Sequence, residues 1–153
     1  MADTQPIVDG CSAFWQAWCE RDSAGLVGAW DMDDEAGSYL PADEPHKLVG
    51  AAAVRGYMTM QLQRFALIRM RPQQVCPRRL KDDLGTVFAV LDWARQSGEG
   101  LAPVGGTLRI SAVLRRRADH WRVCHYAEAP LAPLVELRSF YQQIAADGHE
   151  AIL

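Results

Sequence analysis

A chain of 153 residues is long enough to bury a hydrophobic core as one domain, and 49% hydrophobic with 23% charged residues is ordinary for a globular protein. The net charge of −3 argues against a nucleic-acid-binding protein. No apolar run approaches the roughly 18 residues that cross a membrane, and the first residues lack the segments of a signal peptide. We therefore expect a single domain over residues 1–153, in the cytoplasm, with no nucleic-acid and no membrane partner.

The four cysteines give no sign of a disulfide framework or of a metal site. They occupy positions 11, 19, 76 and 124, so no pair has CxxC spacing and none combines with histidine at the spacing of zinc ligands. Scattered cysteines of this kind suit a reducing compartment. We expect no metal and no cofactor.

Two helices are predicted near the N-terminus. The first, over residues 5–21, repeats apolar residues at steps of three and four. Ser23 is placed to cap a second, short helix. The apolar faces of the two helices consist of Ile7, Cys11, Phe14, Trp15, Trp18, Leu26, Val27 and Trp30. Faces with so many aromatic residues require a broad packing partner, and a β-sheet is the usual one.

The middle of the chain alternates short extended pieces with one helix. An acidic break and a proline-containing loop separate two short predicted strands, 36–40 and 46–49. Gly50 precedes a third predicted helix over residues 51–65. The following residues, 66–71, fit either an extension of that helix or a strand.

The apolar pattern then takes a period of two residues, which indicates strands. Two strands are predicted over 74–81 and 84–95, and two more fill the stretch from Gly105 to Pro130 around a polar turn. A last helix is predicted over about 132–147. Helices followed by a block of long antiparallel strands are typical of the α+β class.

The order and spacing of three motifs resemble the nuclear-transport-factor-2-like superfamily, which includes ketosteroid isomerases and SnoaL-like polyketide cyclases. The first motif is the block FWQAWCERDSAGLVGAW that starts at Phe14, and the second is the helix start from Gly50 to Tyr57. The third is the final hairpin, with Arg109-x-Ser111 followed by Trp121-Arg-Val-x-His125. The resemblance covers about residues 7–130.

The resemblance implies a curved antiparallel or mixed sheet that the N-terminal helices wrap into a cone with a deep pocket, a cystatin-like α+β roll. It also implies a homodimer formed through the convex face of the sheet. The core of the domain is then expected over about residues 5–130, and the last helix is an addition. That helix either covers the mouth of the cone or packs on a partner subunit.

The resemblance argues against the chemistry of ketosteroid isomerases, which use a tyrosine and a protonated aspartate as an oxyanion hole and a second aspartate to carry the proton. The tyrosine position falls on Phe14 and the oxyanion aspartate falls on Ala112. The proton-carrying aspartate falls within residues 38–40, where there is no carboxylate. None of these side chains can replace the missing groups.

The same overlay assigns faces to the strands, because alternate residues of a strand point to opposite sides. If Ala112 faces the cavity, its alternate neighbours and the matching residues of the adjacent strands do so too. The predicted cavity-facing residues are Leu108, Ile110, Leu114, Phe88, Val90, Asp92, Cys124, Tyr126 and Glu128. This assignment fails wherever a strand carries a β-bulge.

Asp92 and Glu128 are the candidate catalytic residues, since a carboxylate on an apolar interior face needs a partner or a chemical role. The alternative is that both lie at strand ends, hydrated or bonded to arginine. The candidate ligand-binding residues are Phe14, Trp15, Tyr57, Phe88, Val90, Ala112 and Tyr126. His125, with Trp121, Val123, Arg109 and Ser111, is expected on the opposite, convex face.

Three functions remain open. The leading hypothesis is a homodimer that binds a small apolar or aromatic molecule in the cone. The second is an acid–base enzyme similar to a polyketide cyclase, an isomerase or an epoxide hydrolase. Epoxide hydrolases of this type also use an arginine between the acids, which the sequence does not place. The third is a non-catalytic dimerisation or accessory module.

Overall fold

The computed structural model of the chain describes residues 3–132 and 134–146, which form four helices and six strands. In chain order the elements are α1 (Gln5–Glu20), α2 (Ser23–Ala29), β1 (Ser38–Leu40), β2 (Leu48–Val49), α3 (Ala51–Arg64), β3 (Leu67–Lys81), β4 (Leu84–Gln96), β5 (Val104–Arg117), β6 (His120–Pro130) and α4 (Leu134–Ala146). The α+β class is therefore confirmed. The ambiguous segment 66–71 belongs mostly to a strand.

The junction of α1 and α2 is a tight turn. Arg21 adopts a left-handed conformation with φ of 56°, and its backbone N–H donates to the carbonyls of the last turn of α1. The Asp22 carboxylate then accepts a hydrogen bond from the Gly25 N–H at 2.9 Å, which makes Asp22 the N-cap of α2. The predicted cap, Ser23, is instead the first residue of the helix.

The six strands form one curved, unclosed sheet in the order β2-β1-β6-β5-β4-β3. The short strand β1 runs parallel to β6, and the other neighbours are antiparallel. Packing of α1 against β3 and β6 and of α2 against β6 covers one face of this sheet. The approach of α1 to β6 is close, because a Cβ added to Gly10 would lie 2.6 Å from the carbonyl oxygen of Trp121.

The faces of β4 are the reverse of those predicted. Alternate residues of β4 are buried opposite the buried residues of β5, in the pairs Val87–Ala112, Ala89–Ile110 and Leu91–Leu108. Phe88, Val90 and Asp92 therefore lie on the outer face, and Phe88 is 45% exposed. The prediction that these three share the face of Ala112 is wrong. A shift of one residue exchanges the faces of a strand, and β4 has apolar residues on both faces, so its pattern does not reveal the shift.

A β-bulge at Cys124 changes the faces of β6. Val113 pairs with His125 but Leu114 pairs with Val123, so Cys124 has no partner in β5. As a result Val123 is fully buried under the helices, although it was expected on the convex face with His125. Trp121 was expected there too and instead packs beneath α1, 7% exposed. The bulge adds one residue to the strand and so reverses every face on its N-terminal side.

The closing helix α4 spans Leu134–Ala146, close to the predicted range. Among its described side chains, Leu137 is half-buried and Tyr141 is 63% exposed. From its sequence this helix is expected to carry an apolar stripe of Leu134, Leu137, Tyr141 and Ile144, of which the side chains of Leu134 and Ile144 lie outside the described part of the chain. The choice between covering the cone and packing on a partner stays a prediction.

Candidate functional site

A cavity of about 340 Å³ lies between α3, the loop that joins β1 to β2, and the adjoining ends of β3, β4 and β5. Its apolar wall includes Trp18, Phe65, Ile68, Met70, Trp93 and Leu108. Its polar groups include Tyr39, Asp43, Tyr57, Gln61, Arg95 and Glu128. Two of the predicted site residues, Tyr57 and Glu128, therefore lie in this cavity.

Aromatic side chains fill the cone below this cavity. The ring of Phe14 packs against those of Trp30, Tyr39 and Tyr126, with centroids 5.1–6.4 Å apart. Trp15, 3% exposed, donates a hydrogen bond from Nε1 to the Tyr126 hydroxyl at 2.7 Å. The open space is thus confined to the upper part of the cone.

Four of the predicted ligand-binding residues consequently belong to the core. Phe14, Ala112 and Tyr126 are fully buried and Trp15 is nearly so. None of the four lines the cavity. Their prediction as ligand contacts assumed a pocket that reaches the bottom of the cone. Mutual packing of the rings and the hydrogen bond between Trp15 and Tyr126 close that part of the pocket.

Glu128 places a half-buried carboxyl group beside the cavity. One carboxylate oxygen accepts a hydrogen bond from the Tyr39 hydroxyl at 2.7 Å, and the other accepts one from the Ala42 N–H at 2.9 Å. Burial raises the pKa of Glu128 and the nearby charge of Asp43 adds to this, which together outweigh the lowering effect of the two hydrogen bonds. Glu128 therefore keeps its proton to a higher pH than an ordinary glutamate.

Asp43 lies in the loop between β1 and β2 and was not predicted as a site residue. It accepts hydrogen bonds from the Tyr57 hydroxyl at 2.9 Å, the Gln61 amide at 3.4 Å and the Arg95 guanidinium at 3.2 Å. Burial acts to raise the pKa of Asp43, but the bonds from Tyr57 and Arg95 and the charge of Arg95 outweigh it, so its pKa is lower than usual. Asp43 therefore stays ionised at neutral pH.

Arg95 holds its guanidinium between aromatic rings and the carboxylate of Asp43. The guanidinium carbon lies 4.4 Å from the ring centroid of Phe65 and 5.1 Å from that of Trp93. The charge of Arg95 acts to lower the pKa of Glu128 as well as that of Asp43, so Arg95 interacts electrostatically with both acids. An arginine thus lies in the same cavity as the two carboxyl groups.

Asp92, the other predicted catalytic residue, lies on the outer face of the sheet and does not line the cavity. Its carboxylate accepts hydrogen bonds from Arg71 at 3.0 Å, Gln73 at 2.6 Å and Thr107 at 2.9 Å. The bond from Arg71, followed by those from Thr107 and Gln73, lowers its pKa. These contacts match the alternative that the sequence left open, a carboxylate bonded to arginine.

His125 lies on the outer face, as predicted from the sequence. It pairs with Ser38 across β1 and β6, and its Nδ1 lies 2.8 Å from the Ser38 hydroxyl oxygen. Burial, with a contribution from the charge of Lys47, lowers the pKa of His125. The histidine is therefore neutral over more of the pH range than a free imidazole and is separated by the sheet from the cavity.

Sequence reasoning missed Asp43 and Arg95 for different reasons. Arg95 follows Val87, Ala89, Leu91 and Trp93 along one face of β4, so the correct parity would have placed it at the cavity. Asp43 lies in a loop between two prolines, where no period predicts its direction. Within residues 3–132 and 134–146 no three His, Cys, Asp or Glu side chains cluster as metal ligands, and no described helix has the length and hydropathy to span a membrane.

Comparison with known proteins supports the fold. No protein-family model and no curated protein matches the sequence. A solved structure of a proposed dehydratase of the nuclear-transport-factor-2-like family from Streptomyces avermitilis superposes with a TM-score of 0.76 at 18% identity, over 86% of this chain and 98% of that one. The chain thus has the nuclear-transport-factor-2-like fold that the sequence motifs implied.

Two further solved structures are similar to this chain. An uncharacterised protein with a cystatin-like fold from Caulobacter vibrioides has a TM-score of 0.72 at 14% identity, over 92% of this chain and 97% of that one. A proposed calcium/calmodulin-dependent protein kinase II association domain from Xanthomonas campestris has a TM-score of 0.73 at 12% identity, over 88% and 91%. At such identities the likeness is one of fold, and proteins with different roles share it.

Proposed function

We propose that the protein binds a small, largely apolar organic molecule in the cavity and transfers protons to and from it, with Glu128 as the acid and Asp43 as the base. The observation that carries this proposal is the presence of two carboxyl groups in one cavity with pKa values shifted in opposite directions. A pair of this kind supplies a proton donor and a proton acceptor at the same pH.

The surrounding groups suit a dehydration or an isomerisation. Glu128, while protonated, can donate to a hydroxyl that leaves or to a carbonyl that becomes an enol. Asp43 can remove a proton from an adjacent carbon, and the hydrogen bond from Tyr57 fixes the direction of its carboxylate. The positive charge of Arg95 stabilises negative charge that develops on the substrate. A bound substrate that displaces water from the apolar wall would strengthen these interactions.

The proposed dehydratase from Streptomyces avermitilis has a similar fold, so a dehydration is compatible with this scaffold. The filled lower part of the cone restricts the size of the substrate. A cavity of about 340 Å³ is at the small end of the range for ligand pockets, roughly 300–1,000 Å³. We expect a molecule with one or two rings.

The test has two stages. Wild-type protein is first screened by thermal shift against apolar hydroxy-ketones and enones, since a ligand that binds the folded state raises its melting temperature. Compounds that bind are then assayed for loss of water or for movement of a double bond by ultraviolet absorbance. Glu128→Gln and Asp43→Asn should each lower turnover by on the order of 10²–10⁴, the range for loss of a general acid or base.

Asp92→Asn is the matched control, because it removes a carboxylate from the outer face of the same sheet and should leave turnover within about twofold. Turnover that survives both cavity substitutions would refute the assigned roles. A screen without any compound that stabilises the protein would refute the ligand-binding function itself.

A second proposal is self-association through the outer face of the sheet. The exposed ring of Phe88 lies there beside Val90, and Val113 of the neighbouring strand is also on that face. Apolar side chains in the middle of an otherwise polar face favour contact with a second copy of the chain. Light scattering should give the mass of a dimer for the wild type and of a monomer for Phe88→Glu. A monomeric wild type at micromolar concentration would rule the proposal out.

We also propose that the protein is located in the cytoplasm. All four cysteines are free, although Cys76 is exposed and open to oxidation. A reducing compartment preserves such thiols. Cell fractionation with a tagged chain would test the location, and recovery from an oxidising compartment would contradict it.

A further inference from the structure

Two hydrogen bonds from one short segment hold both oxygens of the Glu128 carboxyl group. The Tyr39 hydroxyl donates to Oε1 at 2.7 Å, and the Ala42 N–H donates to Oε2 at 2.9 Å. Tyr39 lies in β1, and Ala42 lies in the loop that follows it. A carboxyl group bonded through both oxygens cannot turn about its last side-chain bond without losing the geometry of these bonds. The segment 39–42 therefore fixes the plane of the acid.

The pairing of β1 with β6 explains why the Tyr39 hydroxyl reaches Glu128. β1 is three residues long and runs parallel to β6, with Tyr39 beside Tyr126. Alternate residues of a strand share a face, so Glu128, two residues after Tyr126, points to the same side of the sheet as Tyr39. The bulge at Cys124 precedes this part of β6 and leaves the assignment unchanged. Pairing of a very short strand thus brings the hydroxyl to the acid.

The hydroxyl of Tyr39 is not needed to fill the core. The side chain is 2% exposed, and its ring packs against those of Phe14, Tyr57 and Tyr126 with centroids 5.2–6.4 Å apart. Phe14 takes part in the same cluster without a hydroxyl, so a phenyl ring suffices for this packing. A buried hydroxyl destabilises the fold unless it has a partner, and the partner of this one is Glu128.

The two tyrosines of the cavity divide their hydroxyls between the two acids. Tyr39 donates to Glu128 and Tyr57 donates to Asp43. Burial, followed by the charge of Glu128, raises the pKa of both tyrosines, so each keeps its proton as a hydrogen-bond donor. Burial also raises the pKa of Glu128, and the bond from Tyr39 opposes that rise because a donor binds a carboxylate more strongly than a neutral carboxyl group.

We propose that Tyr39 is the positioning residue of the Glu128 acid: its hydroxyl sets the direction of the carboxyl group and stabilises the carboxylate that remains after proton transfer. This inference rests on the proposed function and adds a residue that acts through Glu128. In the step, the O–H bond of Glu128 breaks, the proton passes to an oxygen of the ligand, and the electron pair stays on the carboxylate. The donors of Tyr39 and Ala42 are already in place for this charge.

The experiment follows the ionisation of Glu128 by ¹³C NMR of the full chain, labelled at the side-chain carboxyl carbon of glutamate. The signal that is absent from Glu128→Gln identifies Glu128. In Tyr39→Phe, which keeps the ring and loses only the hydroxyl, this signal should titrate at a higher pH than in the wild type, because the carboxylate has lost a donor. Tyr57→Phe is the matched control, since it removes the hydroxyl of the adjacent ring, which bonds to Asp43, and should leave the Glu128 titration in place.

A second measurement uses the wild type and so does not require Tyr39→Phe to fold. With tyrosine labelled at Cζ, the Tyr39 signal should move at the pH where Glu128 titrates, by more than the signals of Tyr57 and Tyr126, and should stay fixed in Glu128→Gln. With a compound that the wild type turns over, Tyr39→Phe should lower turnover about 5- to 10-fold, the difference between a hydrogen bond to a charged and to a neutral group. The alkaline limb of the pH–rate profile should move to higher pH with the carboxyl titration, because activity ends where Glu128 loses its proton.

Failure of the inference and failure of the proposed function give different results. An unchanged Glu128 titration in Tyr39→Phe, or an equal upward shift in Tyr57→Phe, would overturn the positioning role, and the function would stand as long as Glu128→Gln still lowers turnover. Turnover that survives Glu128→Gln would remove the proposed acid, and the positioning role of Tyr39 would fall with it even if the titration moves.

Discussion

Replacement of Glu128 by glutamine tests whether burial disfavours the charged form of this side chain. The uncharged amide has nearly the same shape as the carboxylate. Its oxygen can accept the bond from the Ala42 N–H, and its NH₂ group can donate to the Tyr39 hydroxyl, which is able to reverse its role from donor to acceptor. The substitution therefore removes the charge and keeps one hydrogen bond to each of the two partners.

The sign of the effect follows from the raised pKa of Glu128 in the folded protein. Below the pKa of the unfolded chain, about 4.3, both states are protonated and the variant should match the wild type. Above it the unfolded chain loses the proton first, so the free energy of unfolding of the wild type falls by up to about 1.4 kcal/mol per pH unit until the folded pKa is passed. Glu128→Gln has no such loss and should become the more stable protein.

Thermal unfolding of the two proteins between pH 4 and pH 8 measures this difference. For a domain of this size, 1 kcal/mol corresponds to roughly 2–4 °C in the melting temperature. The melting temperature of the variant should rise relative to that of the wild type as the pH increases and then level off. A variant that is less stable than the wild type at pH 8 would show that the ionised carboxylate stabilises the fold, and the assignment of Glu128 as an acid would fail.

Three further changes test the site and the core. Asp43→Asn should lower the free energy of unfolding by about 1–3 kcal/mol at pH 7, because it breaks a half-buried pair with Arg95. The folded protein lowers the pKa of Asp43, so in acid denaturation this difference should vanish as the pH falls through that pKa. A difference that stays constant with pH would contradict the charge pairing. Gly10→Ala should destabilise by about 1–3 kcal/mol in urea unfolding because its Cβ would meet the Trp121 carbonyl, and a stabilised variant would show that α1 lies farther from β6. Ala112→Asp introduces the aspartate of ketosteroid isomerases and should unfold the protein, because it places a carboxylate at a fully buried position. Circular dichroism measures the loss of structure, and a folded variant would indicate that the cavity extends to this strand.

The residues of the cavity differ in how far the sequence could predict them. Tyr57 and Glu128 were predicted because Tyr57 lies on the buried face of α3 and Glu128 lies in the part of β6 that follows the bulge, where the assigned faces are correct. Asp92 was placed on the wrong face because β4 has apolar residues on both faces, so an error of one residue in the overlay left no sign in the pattern. Phe14 and Ala112 were placed on the correct face, but whether rings fill the cone depends on contacts between residues far apart in the chain.

The sequence by itself determined the class of the fold and the approximate bounds of its elements, because the apolar period and the glycine and proline positions are local properties of the chain. The resemblance to ketosteroid isomerases also predicted from the sequence that their catalytic groups are missing, since alanine and phenylalanine lack such groups. Only the tertiary structure brought Asp43 from its loop and Arg95 from β4 to the same cavity as Glu128. The pKa shifts of Asp43 and Glu128 come from burial and from neighbours distant in sequence, which no local pattern specifies.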